Sequence, residues 1–209
     1  SLNEEKMKRE ELPGEKVFFI DDNYNEFQLF NHKVISFEQF CGLKGKKFGI
    51  VAIANPQIRS ELTRKLEQNC IDKFSLISND FLSFQNVTIG SGSIICARFT
   101  ATCDIEIGHS FHGNIGGLIE HDCRVGDFVT FSPGAICNGN VIIENNVFIG
   151  SGAIIRNGAL ERPLVIGEDS IIGMGSVVLN DVKPRTIVAG NPGREIKESI
   201  DRKSTRLNS

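Results

Sequence analysis

From Ile89 the chain beats in sixes. Taking every sixth residue gives Ile89, Ile95, Ala101, Ile107, Gly113, Ile119, Val125, Phe131, Cys137, Ile143, Ile149 and Ile155, all apolar or small except Gly113. Glycine follows this phase at positions 90, 108, 126 and 150. The phase resumes with Ile166-Gly167, Ile172-Gly173 and Val178. The step from 155 to 166 is eleven residues, which predicts about five extra residues bulging out near 157–161. Neither the period of 2 of a long strand nor the 3.6 of a helix gives this beat. It fits very short strands joined by tight turns and wound into a solenoid, whose stacked coils share one core because no single strand can bury its apolar side alone.

Upstream the pattern is different. Residues 16–20 (KVFFI) read as a buried strand ending at Asp21-Asp22-Asn23, and residues 48–54 (FGIVAIA) read as a second. Asn55 is placed to cap a helix that has Pro56 at its first position. The helix spans 56–69, with Ile58, Leu62 and Leu66 on one face. Residues 74–77 (FSLI) read as a third strand. Strand, helix, strand suggests a βαβ unit, and such units often bind nucleotides at strand carboxyl ends. The Gly-rich phosphate turn of a dinucleotide fold is absent from this reading.

Composition sharpens the division. Residues 87–193 hold 17 of the 21 glycines but only one of the twelve lysines, Lys183, which puts the join near 83–86. The expected organisation is a small α/β acceptor-binding domain over 1–84, lacking the first strand and Gly-rich loop, then the coil over 85–196. The end, 197–209, is expected to be a disordered or non-native tail, and Ser1-Leu2 also reads as foreign. An incomplete N-terminus would account for the missing loop. A net charge of −3 argues against a nucleic-acid binder. No apolar run approaches the ~20 residues of a membrane span. The six scattered cysteines, with no CxxC pair, read as reduced thiols of a cytoplasmic protein, with no metal framework.

The coil region resembles the hexapeptide-repeat acyltransferases, whose left-handed parallel β-helix has three hexapeptides, 18 residues, per coil; Gly90, Gly108 and Gly126 agree with that step. Ile119-Glu120-His121-Asp122-Cys123 followed by Val125-Gly126-Asp127 resembles the catalytic segment of the sialic-acid and bacillosamine type of sugar acetyltransferase. Ser132-Pro133-Gly134-Ala135 with Gly139-Asn140-Val141, and Asp181-Val182 through Val188-Ala189-Gly190-Asn191-Pro192, continue the likeness. Phe19-Ile20-Asp21-Asp22-Asn23 resembles the second strand of the same family's nucleotide-sugar domain.

Acetyl transfer from a thioester needs a base of near-neutral pKa, for which histidine is suited. His121 falls two residues after a phase position, which points it outward, and Gly139 lies one coil later, leaving room for a thioester arm. The resemblance makes His121 the base and Asp122 the acid that poises it. It puts Asn114 near the acceptor sugar, and Asp21, Asp22 and Asn55 at strand ends facing a nucleotide. Many family members carry a second histidine nine residues after the base; here that position is Thr130, half a coil away, where it would serve only a neighbouring subunit's acceptor site. The resemblance further implies a homotrimer with sites between subunits and acetyl-CoA held in a groove between coils. Gly139, Gly150, Ser151, Gly175 and Ser176 would lie along the pantetheine, with Lys183 and Arg185 at the phosphates. The expected activity is acetyl transfer to an amino or hydroxyl group of a sugar, chiefly the amino group of a nucleotide-linked one. Two alternatives stand beside it: a zinc enzyme like the γ-class carbonic anhydrases, using His109, His112 and His121, and a non-catalytic β-helix trimer.

Overall fold

The computed structural model describes residues 16–23, 28–29, 31–159 and 161–198. Ser1-Leu2 and most of the expected tail therefore lie outside the described residues. The main body is a left-handed β-helix. Its strands stack in three parallel faces, and nearly all are two or three residues long. The first face runs from Leu76–Ile77 through Ile94–Ile95, His112–Gly113, Thr130–Phe131 and Phe148–Ile149 to Ile171–Ile172 and Thr186–Ala189. The second runs from Leu82–Ser83 to Val177–Val178, and the third from Val87–Ile89 to Leu164–Ile166. Partners on a face are 18 residues apart, as in Thr100↔Leu118↔Ile136↔Ile154. The third face instead pairs Val141 with Leu164, so five extra residues enter there. They form the expected bulge, closed by reciprocal backbone bonds between Ala159 and Arg162.

Most corners are turned by a left-handed residue. Between the second and third faces these are Asn86, Asp104, Asp122 and Asn140; between the first and second, Arg98 is followed by Gly116, Gly134, Gly152 and Gly175. Glycine, and next Asn and Asp, reach positive φ at least cost. The six-residue phase points inward as expected. A second inward column lies two residues before it, including Val87, Phe99, Ile105, Phe111, Cys123 and Val129, all buried. Gly113, the exception in the phase, is explained by this column. A Cβ there would meet the rings of Phe99 and Phe111 at 2.8 Å. Those rings and Phe131 form a cluster with centroids 5.6–5.9 Å apart.

The smaller unit departs from expectation in four ways. Only Phe48–Gly49 of the 48–54 run is strand, and its parallel partner is Asp72–Lys73. Leu76–Ile77, expected in the βαβ unit, is instead the first rung of the coil, pairing with Ile94–Ile95. A short apolar run carries no mark of which sheet it will join, and the glycine-rich composition begins only after the first rungs. Phe18–Ile20 is half exposed rather than buried, and pairs with His32–Ile35. Helix α1 covers Phe37–Gly42 and α2 covers Pro56–Gln68. Asn55 caps α2 as expected, its side chain accepting from the N–H groups of Gln57 and Ile58. The buried stripe of α2 is Pro56, Arg59, Thr63 and Leu66, while Ile58 is exposed. The helix is rotated because it docks through Arg59.

That docking joins the two units. Arg59 is fully buried. Its guanidinium donates to the Ile53 and Ala54 carbonyls of its own unit, and to the Ser110, Phe128 and Val129 carbonyls and Thr130 Oγ1 of the coil, at 2.6–3.3 Å. Thr130 Oγ1 in turn donates to Ala54 O at 2.9 Å. His112 Nε2 lies 3.0 Å from Val51 O. The small unit thus sits on the first face and its corner with the third.

Candidate active site

His121 and Asp122 stand at the corner between the second and third faces. Asp122 has φ +59° as the corner residue, so the turn that ends one strand and starts the next also folds this carboxylate back on its neighbour. His121 Nδ1 and Asp122 Oδ2 are 2.8 Å apart, and both side chains are more than half exposed. The hydrogen bond to Asp122, helped by the charges of Asp122 and Glu120, raises the imidazole above its ordinary pKa. With Nδ1 donating to the carboxylate, the lone pair of the neutral ring is on Nε2. The ring is held by sterics as well. A Cβ on Gly139 would lie 2.6 Å from His121 Cε1 and 2.7 Å from Nε2. The space left by Gly139, expected to admit a thioester arm, is therefore taken by the histidine ring. Beneath, Cys123 Sγ donates to the carbonyls of His121 and Asn138 at 3.5 and 3.4 Å. The bulge stacks on the same corner: Gly158 N donates to Gly139 O, and Asn140 Nδ2 to Ala159 O.

The other expected site residues are dispersed. Asn114 lies at the opposite edge of the second face, its Nδ2 donating to Phe131 O at 2.9 Å. Thr130 is fully buried in the junction with Arg59 and Ala54, where it cannot touch an acceptor. Gly150 is buried, with Met174 N 2.5 Å from where its Cβ would be. Ser176 is also fully buried and presents no surface. Ser151 and Gly175 are exposed on the corner between the first and second faces, stacked by the bond from Gly175 N to Ser151 O. Lys183 and Arg185 are exposed on the last coil. They turn the corner between the third and first faces, where Arg185 N donates to Glu168 O, so the structure does not bring them together with Ser151 and Gly175. Gly175 has open space where a Cβ would be.

In the small unit, Asp22 Oδ1 accepts from Phe37 N at 2.7 Å, and its Oδ2 is 3.2 Å from Lys65 Nζ. The Phe37 N–H, then Lys65, hold the carboxyl below its usual range. Asp22, Ser36, Phe37, Cys41, Lys65 and Asn69 line a hollow of about 600 Å³ at the carboxyl end of Phe18–Ile20. Asp21 caps the turn at Asn23, and Asn55 Oδ1 is committed to its helix. His109, His112 and His121 go to separate partners, and among the described residues no three His, Cys, Asp or Glu side chains are placed to hold a metal. Sequence reasoning missed Arg59, since an arginine on an amphipathic helix reads as solvated unless its acceptors on the coil, 51 to 71 residues away, are known.

A coil of three parallel faces with a histidine–carboxylate pair at an outer corner is the frame of a hexapeptide acyltransferase. Known proteins agree. The chain is 40% identical over 189 residues to GDP-perosamine N-acetyltransferase of Escherichia coli O157:H7, covering 88% of this chain and 83% of that protein. The structure of WeeI from Acinetobacter baumannii AYE matches with a TM-score of 0.83 at 40% identity, over 85% of this chain and 84% of that one. PerB from Caulobacter crescentus, in complex with CoA and GDP-perosamine, matches with a TM-score of 0.74 at 26% identity, over 79% of each chain. No protein-family model matches the chain. The protein belongs to the hexapeptide-repeat sugar acetyltransferases, enzymes that use acetyl-CoA.

Proposed function

We propose that the protein N-acetylates a nucleotide-linked amino sugar, with GDP-perosamine the first acceptor to test, and that His121 is the general base. The observation that carries the base is the Asp122–His121 pair, seated on Gly139 with its Nε2 lone pair available. In this reading the acceptor amine attacks the thioester carbonyl of acetyl-CoA. The new C–N bond forms, the C–S bond breaks, and the amine proton passes to His121 Nε2 and on to the leaving thiolate. Asp122 holds the tautomer and stabilises the imidazolium. Ser151 and Gly175 would lie along the coenzyme, and the hollow beside Asp22 and Lys65 would take part of the nucleotide.

The site is completed by a second copy in this reading. The small unit docks on the first face, and His121 stands at the corner opposite that face, so one chain's acceptor is carried toward another chain's base. The outer row of the second face, Leu82, Thr100, Leu118, Ile136, Ile154 and Val177, is mostly apolar, and Leu82 and Ile154 are exposed. It supports a homotrimer with that face inside. Six free thiols and a need for acetyl-CoA support a cytoplasmic enzyme in this reading.

The test is thiol release from acetyl-CoA with GDP-perosamine and UDP-linked 4-amino sugars, comparing wild type with His121→Ala. Loss of about 10²–10⁴ in rate is expected for a general base. A His121→Ala enzyme of wild-type rate would sink the assignment; a wild type inert on all these sugars would sink the acceptor class.

A further inference from the structure

We propose that Arg59 is a positioning residue for catalysis: it bolts the acceptor-holding unit to the coil in one register. The proposal rests on the reading of the Asp22–Lys65 hollow as part of the acceptor site. Arg59 reaches across the junction, with two acceptors in its own unit and four on two successive coils. All are carbonyls or a hydroxyl, and burial lowers the guanidinium to a pKa of about 10, so it remains charged at neutral pH. A planar fork with five N–H donors fits acceptors on both sides of a seam; an ammonium cannot span them.

What makes this more than a structural bond is where α2 goes next. Lys65, six residues on, pairs with Asp22 and covers the Phe37 ring at 4.1 Å; Asn69, the C-cap of the same helix, also lines the hollow. At 1.5 Å per residue the clamp and the hollow are about 9–15 Å apart on one rigid helix. A tilt at Arg59 is therefore delivered to the hollow, while the hollow itself stays intact. Outside this clamp the small unit buries few apolar residues. Thr130 Oγ1 completes the bracket by bonding both Arg59 and Ala54 O.

The test uses the full-length enzyme and three readouts: kcat/KM for GDP-perosamine, KM for acetyl-CoA, and the dissociation constant of GDP by calorimetry. For Arg59→Met we expect kcat/KM for the sugar to fall about 10- to 100-fold, as for a misplacement of about 1 Å. GDP affinity and the KM for acetyl-CoA should stay within about twofold, since each site is built within one unit. Arg59→Lys should recover only part of the loss. Thr130→Val, which keeps the guanidinium, should show the same split at smaller size. Unchanged kcat/KM in Arg59→Met, or GDP affinity falling as far as kcat/KM, overturns the proposal, as does a Thr130→Val enzyme that loses all three together. Should Arg59→Met fail to fold, Thr130→Val decides alone. If wild type neither binds GDP nor acetylates the sugar, the acceptor reading itself has failed and the positioning role falls with it.

Discussion

The coil and the small unit solve the burial problem in opposite ways. The coil repeats one solution: each hexapeptide sends two side chains inward, and 27 buried apolar residues form a single cluster from Phe81 to Val188. The small unit's core cluster has three buried apolar residues, Phe40, Leu66 and Ile71, helped by a few half-buried neighbours. Its largest buried side chain is charged, and the acceptors of that charge are mostly on the coil. A repeat makes a rigid frame because every rung sees the same surroundings. The small unit borrows its place from that frame, which suits a part that must hold an acceptor in a fixed position.

The comparison would be broken most forcefully by core truncations in each half. Phe131→Ala removes one of three mutually packed rings and should lower stability by about 3–5 kcal/mol, read as a fall in the main calorimetric transition. Leu66→Ala should cost about 2–3 kcal/mol. Its loss should fall on the small unit, leaving the main transition and acetyl-CoA binding in place. If Leu66→Ala lowers the main transition as Phe131→Ala does, the halves unfold as one and the contrast is false.

The same contrast decides how much was legible in the sequence. The coil was readable because repetition multiplies a weak local signal: Ile119, Phe131 and Ile143 each say little, but fifteen positions in phase define the winding and the outward direction of His121. The second inward column was missed because it mixes Phe, Val, Cys, Ala, Ser and Gly. Those residues fill corners of varying size, and Gly113 becomes intelligible only once Phe99 is seen over it. The cap at Asn55 was readable because the bond is local, within three residues. Arg59 and Thr130 were not, because their meaning lies in pairings across 51–76 residues. For the same reason the hydrophobic periodicity pointed to Ile58 while the docked helix buries its neighbour.

A smaller effect sharpens the coil's side. Gly139→Ala would place a methyl 2.6–3.0 Å from three atoms of the His121 ring. The ring is exposed and can swing away, so the fold should survive while the Asp122 bond and the direction of Nε2 are lost. The expected result is a fall of about 10²-fold in acetyl transfer with little change in melting temperature. A rate near wild type would mean that the ring's seat on Gly139 does not matter to the reaction.

The junction offers the last and smallest effect, through His112. Burial, and then the charge of Arg59, push its pKa down to about 4, against which the Val51 carbonyl acts weakly. The unfolded chain holds this histidine near its ordinary value of about 6.5. Because the folded state resists protonation, the junction keeps its full stability above about pH 6.5 and loses it as pH falls from there toward 4. Between pH 7.5 and 5 the loss should be about 2 kcal/mol. It should appear in calorimetry as an earlier melting of the small unit. His112→Gln keeps a donor for Val51 O but cannot titrate, so its stability should change less over the same interval. If wild type and His112→Gln lose the same stability on acidification, His112 does not govern the seam, and the pH dependence must come from groups outside it.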